Sequence, residues 1–146
     1  NLMVKGFIPK DYVSDLNQRL DFYRRIQVAS DNDEGLAIAS ELVDRYGQHP
    51  EPVAKLLALL EIRIYCKQIH ISKIEVKQNE AHLHLLPSTP INPENLTPMF
   101  DERLSIISAY KINILLDRKG WKTDLKLIGT YLQKLANSLK SVEVEG

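Results

Sequence analysis

The sequence predicts an α+β fold: a helical N-terminal half, a small antiparallel sheet, and a long C-terminal helix. Three observations carry this. Apolar residues recur at three- and four-residue spacing up to His70, alternate at shorter period from Ile71 to Leu116, and return to helical spacing near Thr123. Strands do not alternate regularly with helices, which argues against a doubly wound parallel sheet. With 146 residues, the chain is long enough for one domain with a real core, so 1–146 is expected to be a single domain.

The elements follow in order. Leu2 to Ile8 is apolar-rich and reads as a short strand ended by Pro9. Ser14 to Ala29 reads as a helix capped by Ser14, with Leu16, Leu20 and Tyr23 inward and Phe22 and Ile26 widening the stripe. Asp31-Asn32-Asp33-Glu34 is a helix start, and Gly47 is a natural stop. The inward stripe of this second helix is Leu36, Ala39, Val43 and Tyr46. Glu34, Glu41 and Arg45 then fall on the opposite side, with Asp44 on the flank. Pro50-Glu51-Pro52 opens a third helix, apolar around most of its girth and therefore expected to be central.

After His70 the period changes. Ile71–Val76 and Ala81–Leu86 read as two strands around a turn at Gln78-Asn79. A proline-rich stretch from Pro87 to Pro98 holds a short helix beginning near Pro93. Leu104–Ala109 and Lys111–Leu116 are the next strands, and Asp117 to Gly120 is a turn. The last helix, capped near Thr123, shows Leu125, Ile128, Leu132, Leu135 and Leu139 at four-and-three spacing.

Composition narrows the function. Acidic and basic residues balance at 19 each, which lowers the expectation of nucleic-acid binding as the main task, since phosphate contacts need a basic face. Cys66 is the single cysteine; it cannot form an intrachain disulfide, which suits a reducing cytoplasm, and it reads as a packing residue. No apolar run is long enough to span a bilayer. The chain opens on Asn1 inside the first expected strand, which suggests a piece of something longer.

Signs of catalysis are sparse. Neither a P-loop, a dinucleotide fingerprint nor a nucleophile-elbow serine is found. His82 and His84 would share one strand face, but two ligands are too few for a metal site, and they read as half-exposed strand residues. His49 and His70 sit at helix ends, where an imidazole can meet free carbonyls. Glu41 and Asp44 project to neighbouring positions on one helix side. They are either part of a solvated face with an intrahelical Glu41–Arg45 pair or an acidic docking patch for a basic surface. Arg19, Arg24 and Arg25 flank Phe22 and Tyr23, an arrangement that could meet a partner or single-stranded nucleic acid, or could simply be surface arginines with buried stems.

Two segments go further. Ile8 to Ile26 contains I-P-x-x-Y, an aspartate, then R-L-x-x-Y and two arginines; Glu41 to Pro50 reads E-L-V-D-R-Y-G-Q-H-P. Both blocks, at this separation, resemble the last domain of the bacterial transcription-repair coupling factor family (Mfd). From Ile69 on, the agreement is limited to the order of elements and the leucine-rich last helix. The commoner phenylalanine of the second block is Tyr46 here.

The resemblance implies a regulatory domain without catalysis of its own, cut from an ATP-dependent DNA translocase. In that family the domain docks on a UvrB-like domain of the same polypeptide and masks the surface used by UvrA. Glu41 and Asp44, with Arg45 beside them, would carry the contact, and Arg19, Arg24 and Arg25 would be a possible secondary one. No cofactor is implied for this domain; ATP and Mg belong to the motor, which also meets RNA polymerase and double-stranded DNA. No membrane partner is implied. Two other readings stay open: an accessory nucleic-acid-binding domain using the three arginines, and a small metal hydrolase using His82, His84 and a carboxylate.

Overall fold

The structure, a computed structural model, describes residues 4–99 and 101–145, with side chains of the last helix described as far as Leu139. Its helices are α1 (Leu16–Val28), α2 (Asn32–Tyr46), α3 (Glu51–Ile69) and α4 (Trp121–Glu145). Its strands are β1 (Ile71–Lys77), β2 (Glu80–Leu85), β3 (Leu104–Ser108) and β4 (Lys111–Leu115), with a 3₁₀ helix at Pro93–Met99. The fold is α+β, with the sheet antiparallel throughout, as the change of period predicts. The chain divides into two compact units, Val4–Ile64 and the part from Tyr65 onward, and α3 runs through the division.

In the first unit, polar groups fix each helix end. Asp15, one residue later than expected, caps α1 by accepting from the Gln18 N–H (3.1 Å). At the other end, Arg63 of α3 donates to the carbonyls of Ile26, Gln27 and Ala29, which have no partner within the helix. Asp31 caps α2 through the Glu34 N–H (2.8 Å), and Glu34 reaches back to the Ser30 N–H (2.9 Å). Gly47 closes α2 at φ 90°, where a side chain would be strained. The Tyr12 hydroxyl donates to its carbonyl at 2.6 Å.

The strand expected at Leu2 to Ile8 is not formed over its described part, while Leu2 and Met3 lie outside the described residues. The segment is instead held by single contacts. The Phe7 N–H donates to the Pro52 carbonyl (3.1 Å) and the Ile8 N–H to the Tyr23 hydroxyl (2.7 Å). A Cβ at Gly6 would lie 2.3 Å from the Leu56 nitrogen, so only glycine allows this close approach to α3.

The inward stripes of α1 and α2 also need correction. Leu16 and Leu20 are exposed, and α1 buries Arg19, Phe22 and Ile26. In α2 the buried residues are Ile38 and Leu42, while Leu36 and Val43 face solvent. Each helix carries two apolar rows on different sides, and periodicity alone does not say which one meets the core. The core selects the row containing Phe22, whose ring packs edge-on against Tyr46 (6.0 Å between centroids). Around it lie Ile8, Val13, Ile26, Ala29, Ile38, Leu42, Val53, Leu60 and Ile64. As its composition predicts, α3 is covered on several sides, burying Val53, Leu60, Ile62, Ile64, Tyr65 and Ile69.

In the second unit the strand order is β1-β2-β4-β3. Gln78, at φ 55°, turns β1 into β2. Ile74, Ala81, Leu83, Ile112, Ile114 and Leu104 are buried along the apolar face. The other face lines up Glu75, His82, Asn113 and Ser105 across successive strands. Helix α4 begins at Trp121, two residues before the expected cap, and buries Leu125, Ile128, Leu132 and Leu135 on the predicted spacing. Its Tyr131 hydroxyl donates to Asp101 (2.6 Å), and burial with this bond pushes the phenol up to about 12.

Candidate functional site

Helices α1 and α2 form an antiparallel pair: Arg25 meets Glu41 near the middle of α2, and Gln18 meets Tyr46 at its end. Glu41 is therefore not on the face opposite the core. It lies at the seam, where its Oε2 accepts from Arg25 Nη1 (3.0 Å) and Arg45 Nη1 (3.1 Å). Both guanidinium groups lie over Phe22, at 5.2 and 5.8 Å from the ring centroid, and Arg45 also over Tyr46 at 5.1 Å. Glu41 Oε1 accepts from no described group. The two arginines thus fix the carboxylate while leaving one oxygen toward solvent.

The Arg25 hydrogen bond holds the Glu41 carboxyl below its ordinary value of 4.5; partial burial opposes this and Arg45 adds to it. A lowered pKa in the folded state stabilises the fold fully above about pH 4.5, and that contribution is lost as pH falls through the folded value. Glu41→Gln should therefore reduce stability at neutral pH by at most about 1 kcal/mol, since both partners are partly exposed. Urea unfolding followed as pH is lowered from 4.5 should show that difference shrinking; an undiminished difference down to the acid limit of the fold would count against the pairing.

Asp44 lies one turn on, exposed, with no hydrogen-bond or ion-pair partner among the described residues. Glu34 is held at the helix start by capping. The structure thus brings Glu41, Arg45 and Arg25 together and leaves Asp44 unpaired on the solvent side.

The three arginines of α1 do not form one face. Arg19 is buried, only 9% exposed, and donates to the carbonyls of Val13 (2.9 Å) and Ser14 (3.3 Å). It ties the entering loop to the helix and is not available as a contact. Arg24 is exposed and faces Asp21 at 3.6 Å, and Arg25 belongs to the Glu41 pair. This removes the geometric basis for a basic, aromatic nucleic-acid face on α1.

The remaining candidates have structural partners. His49 Nε2 donates to the Ala39 carbonyl (2.9 Å), which fixes its tautomer, and His70 Nδ1 is 2.9 Å from Ser88 Oγ. His82 is buried, not half-exposed, with Nε2 at 2.9 Å from Glu80. Its Nδ1 and the Oδ1 of Asn113, opposite it in register, have no hydrogen-bond partner among the described residues. His84 Nε2 lies 2.6 Å from Glu75 without forming a well-directed hydrogen bond. Among the described residues, no group of three or more His, Cys, Asp and Glu side chains is placed to hold a metal ion. Burial pushes the Cys66 thiol up to about 11, which leaves little nucleophilic thiolate at neutral pH. No helix among the described residues is long and apolar enough to cross a membrane.

Sequence reasoning missed the bond between Arg25 and Glu41, because residues 16 apart in sequence meet only through the antiparallel packing of two helices. It also missed the exposure of Leu36 and Val43. The available signal was the competing Ile38–Leu42 pair at four-residue spacing.

Fold and site define a small α+β protein unit whose distinctive surface is a helix bearing one fixed and one unpaired carboxylate. The chain belongs to the TRCF domain family, whose model matches residues 2–96. It is 25% identical over 138 residues to the transcription-repair-coupling factor of Haemophilus influenzae, covering 92% of this chain and 12% of that protein. Similarity to the Escherichia coli transcription-repair-coupling factor is 25% over 137 residues, again 92% of this chain and 12% of the relative. The Myxococcus xanthus transcription-repair-coupling factor is 43% identical over 75 residues, 51% of this chain. Among solved structures, the C-terminal domain of a transcription-repair coupling factor matches with a TM-score of 0.75 at 18% identity. That match covers 93% of this chain and 91% of the other, and shows the same fold. The chain thus spans only about an eighth of the length of the first two relatives.

Proposed function

We propose that this chain is the regulatory C-terminal domain of a longer transcription-repair coupling factor, acting in nucleotide-excision repair by contact rather than by catalysis. Its α2 docks on a UvrB-like domain of the same polypeptide and masks the surface that binds UvrA. The observation that carries this reading is the pair of acceptors on α2. Glu41 is prefixed by two arginines with one oxygen free, and Asp44 stands unpaired one turn away. A basic surface meeting them finds one carboxylate already ordered, which lowers the side-chain entropy lost on contact. Such charge pairs direct and discriminate more than they bind, which suits a contact that must open.

In this reading the domain holds no cofactor. ATP and Mg act in the motor of the longer protein, which works on double-stranded DNA and RNA polymerase in the cytoplasm. The domain shifts a closed–open equilibrium, and UvrA binds only the open form.

The test uses the full-length protein. Glu41→Ala with Asp44→Ala should raise its affinity for purified UvrA by about tenfold, within the usual range for coupled sites. The isolated domain carrying the same changes should keep its fold. Unchanged UvrA affinity with the fold intact would rule out these two residues as the contact.

A further inference from the structure

We infer that the outer side of α4 near its start is a contact for the phosphate backbone of duplex DNA, formed by Lys119, Lys122, Lys126, Gly129 and Gln133. The balance of 19 acidic and 19 basic residues over the whole chain hides a local asymmetry: from Arg118 to Lys134 stand five cationic residues and one acid, Asp124. At 100° per residue, Lys122, Lys126, Gly129 and Gln133 fall within about 60° of one another. Their stripe lies about 110° round the helix from the buried row of Leu125, Ile128, Leu132 and Leu135. Asp124 falls nearly opposite the stripe and is held by Arg118 at 3.6 Å. Lys119, in the loop before the helix, is exposed, as are Lys122, Lys126 and Gln133. None of these three lysines has an ion-pair partner among the described residues. Gly129 is buried, yet a Cβ there would meet no neighbouring atom within 4 Å. Packing within the chain therefore does not require glycine, although glycine inside a helix weakens it relative to alanine. The recess it leaves lies in line with the lysines and lets a partner's backbone come close to the helix.

The chemistry of the stripe selects the partner. Protein contacts are depleted in lysine and centre on aromatic or apolar anchors, of which this stripe has none. Single-stranded nucleic acid is held largely by stacking on aromatic rings, which the stripe also lacks. What it offers is a row of ammonium groups, compact point charges that suit phosphate without demanding a fixed geometry, beside an amide donor. Lys122 to Gln133 runs about 16 Å along the helix, over which each strand of a duplex presents on the order of five phosphates. Such a contact positions a duplex and reads no sequence. Three lysines bind weakly, which is enough where a longer chain already holds the duplex nearby. The choice of DNA over RNA rests on the proposed function, in which the motor works on double-stranded DNA. The contact itself uses none of the α2 residues and stands apart from the docking reading.

The test measures binding of the 146-residue chain to a DNA duplex of about 20 base pairs by fluorescence anisotropy at about 20 to 150 mM salt, with melting curves as the check on folding. With three lysines engaged, the logarithm of the association constant should fall against the logarithm of salt with a slope of about −2.7. Lys122→Gln with Lys126→Gln should bring the slope to about −0.9 and cost at least about tenfold in affinity at the lowest salt. Gly129→Ala should raise the melting temperature by about 3 °C yet weaken duplex binding, opposite signs that a purely structural glycine would not give. Lys10→Gln with Arg24→Gln removes the same charge from exposed positions on other elements and should leave the slope unchanged. Absence of salt-dependent binding by the wild-type chain would overturn the inference, as would an equal loss in the Lys10 and Arg24 variant. Unchanged binding by Gly129→Ala would show that no strand approaches the helix there, and the stripe would be wrong. Polyglutamate competing as well as the duplex at equal charge would make the partner an acidic protein surface instead. UvrA affinity enters none of these measurements, so the docking reading is tested separately.

Discussion

Phe22→Ala is expected to destabilise the protein by about 3–5 kcal/mol, the range for deleting a fully buried aromatic side chain. The ring is 1% exposed and sits where α1 meets α2, edge-on to Tyr46 and beneath the guanidinium groups of Arg25 and Arg45. Its removal opens a cavity between helices and takes away the surface on which both arginines rest. Two effects should therefore appear together. Urea unfolding should show the large loss, and the stabilising contribution of Glu41 should weaken, because the arginines that fix it lose their support. Phe22→Leu keeps an apolar side chain at the seam and should lose much less. A loss below about 1 kcal/mol for the alanine variant would be that of a surface substitution and would contradict the packing.

The dependence of the site on this one ring explains what was legible beforehand. Element boundaries in the sheet and the spacing of Leu125, Ile128, Leu132 and Leu135 follow from local alternation, because each strand and α4 has a single dominant apolar face. Helices α1 and α2 each offer two plausible rows. Which one turns inward depends on Phe22 meeting Tyr46, a contact between residues 24 apart, and no local rule contains it. The error then propagates to the site. With Leu36 and Val43 placed inward, Glu41 falls on the outer face; with Ile38 and Leu42 inward, it falls at the seam beside Arg25. Asp44 remains outward under either choice, so its exposure was the more secure expectation.

Arg19 illustrates a different limit. A long cationic side chain flanked by apolar residues is usually read as a surface group with a buried stem. Here the guanidinium satisfies the carbonyls of Val13 and Ser14, left by the loop that enters α1. A buried backbone acceptor needs a donor, but the sequence does not say which donor reaches it. Arg63 does the same for the end of α1 from a distance of more than 30 residues. Such roles depend on tertiary approach, so arginines counted as candidate contacts divide, in the structure, into structural and exposed ones.

Leu132→Ala should cost about 2–5 kcal/mol, because its side chain is fully buried on the central row of α4. It also tests whether 1–146 behaves as one domain. The division between the compact units falls at Ile64 and Tyr65, within the continuous helix α3. Unfolding either unit alone would cut α3 short at that point and lose the intrahelical hydrogen bonds that cross the division. A single transition is therefore expected, with Leu132→Ala and Phe22→Ala each lowering it. Trp121, the sole tryptophan, lies in the second unit and gives a local probe. Its fluorescence melting curve should move with Phe22→Ala as far as a far-ultraviolet dichroism curve does. If Trp121 reports an unshifted transition while the helical signal falls earlier, the units unfold separately and 1–146 is not one cooperative domain.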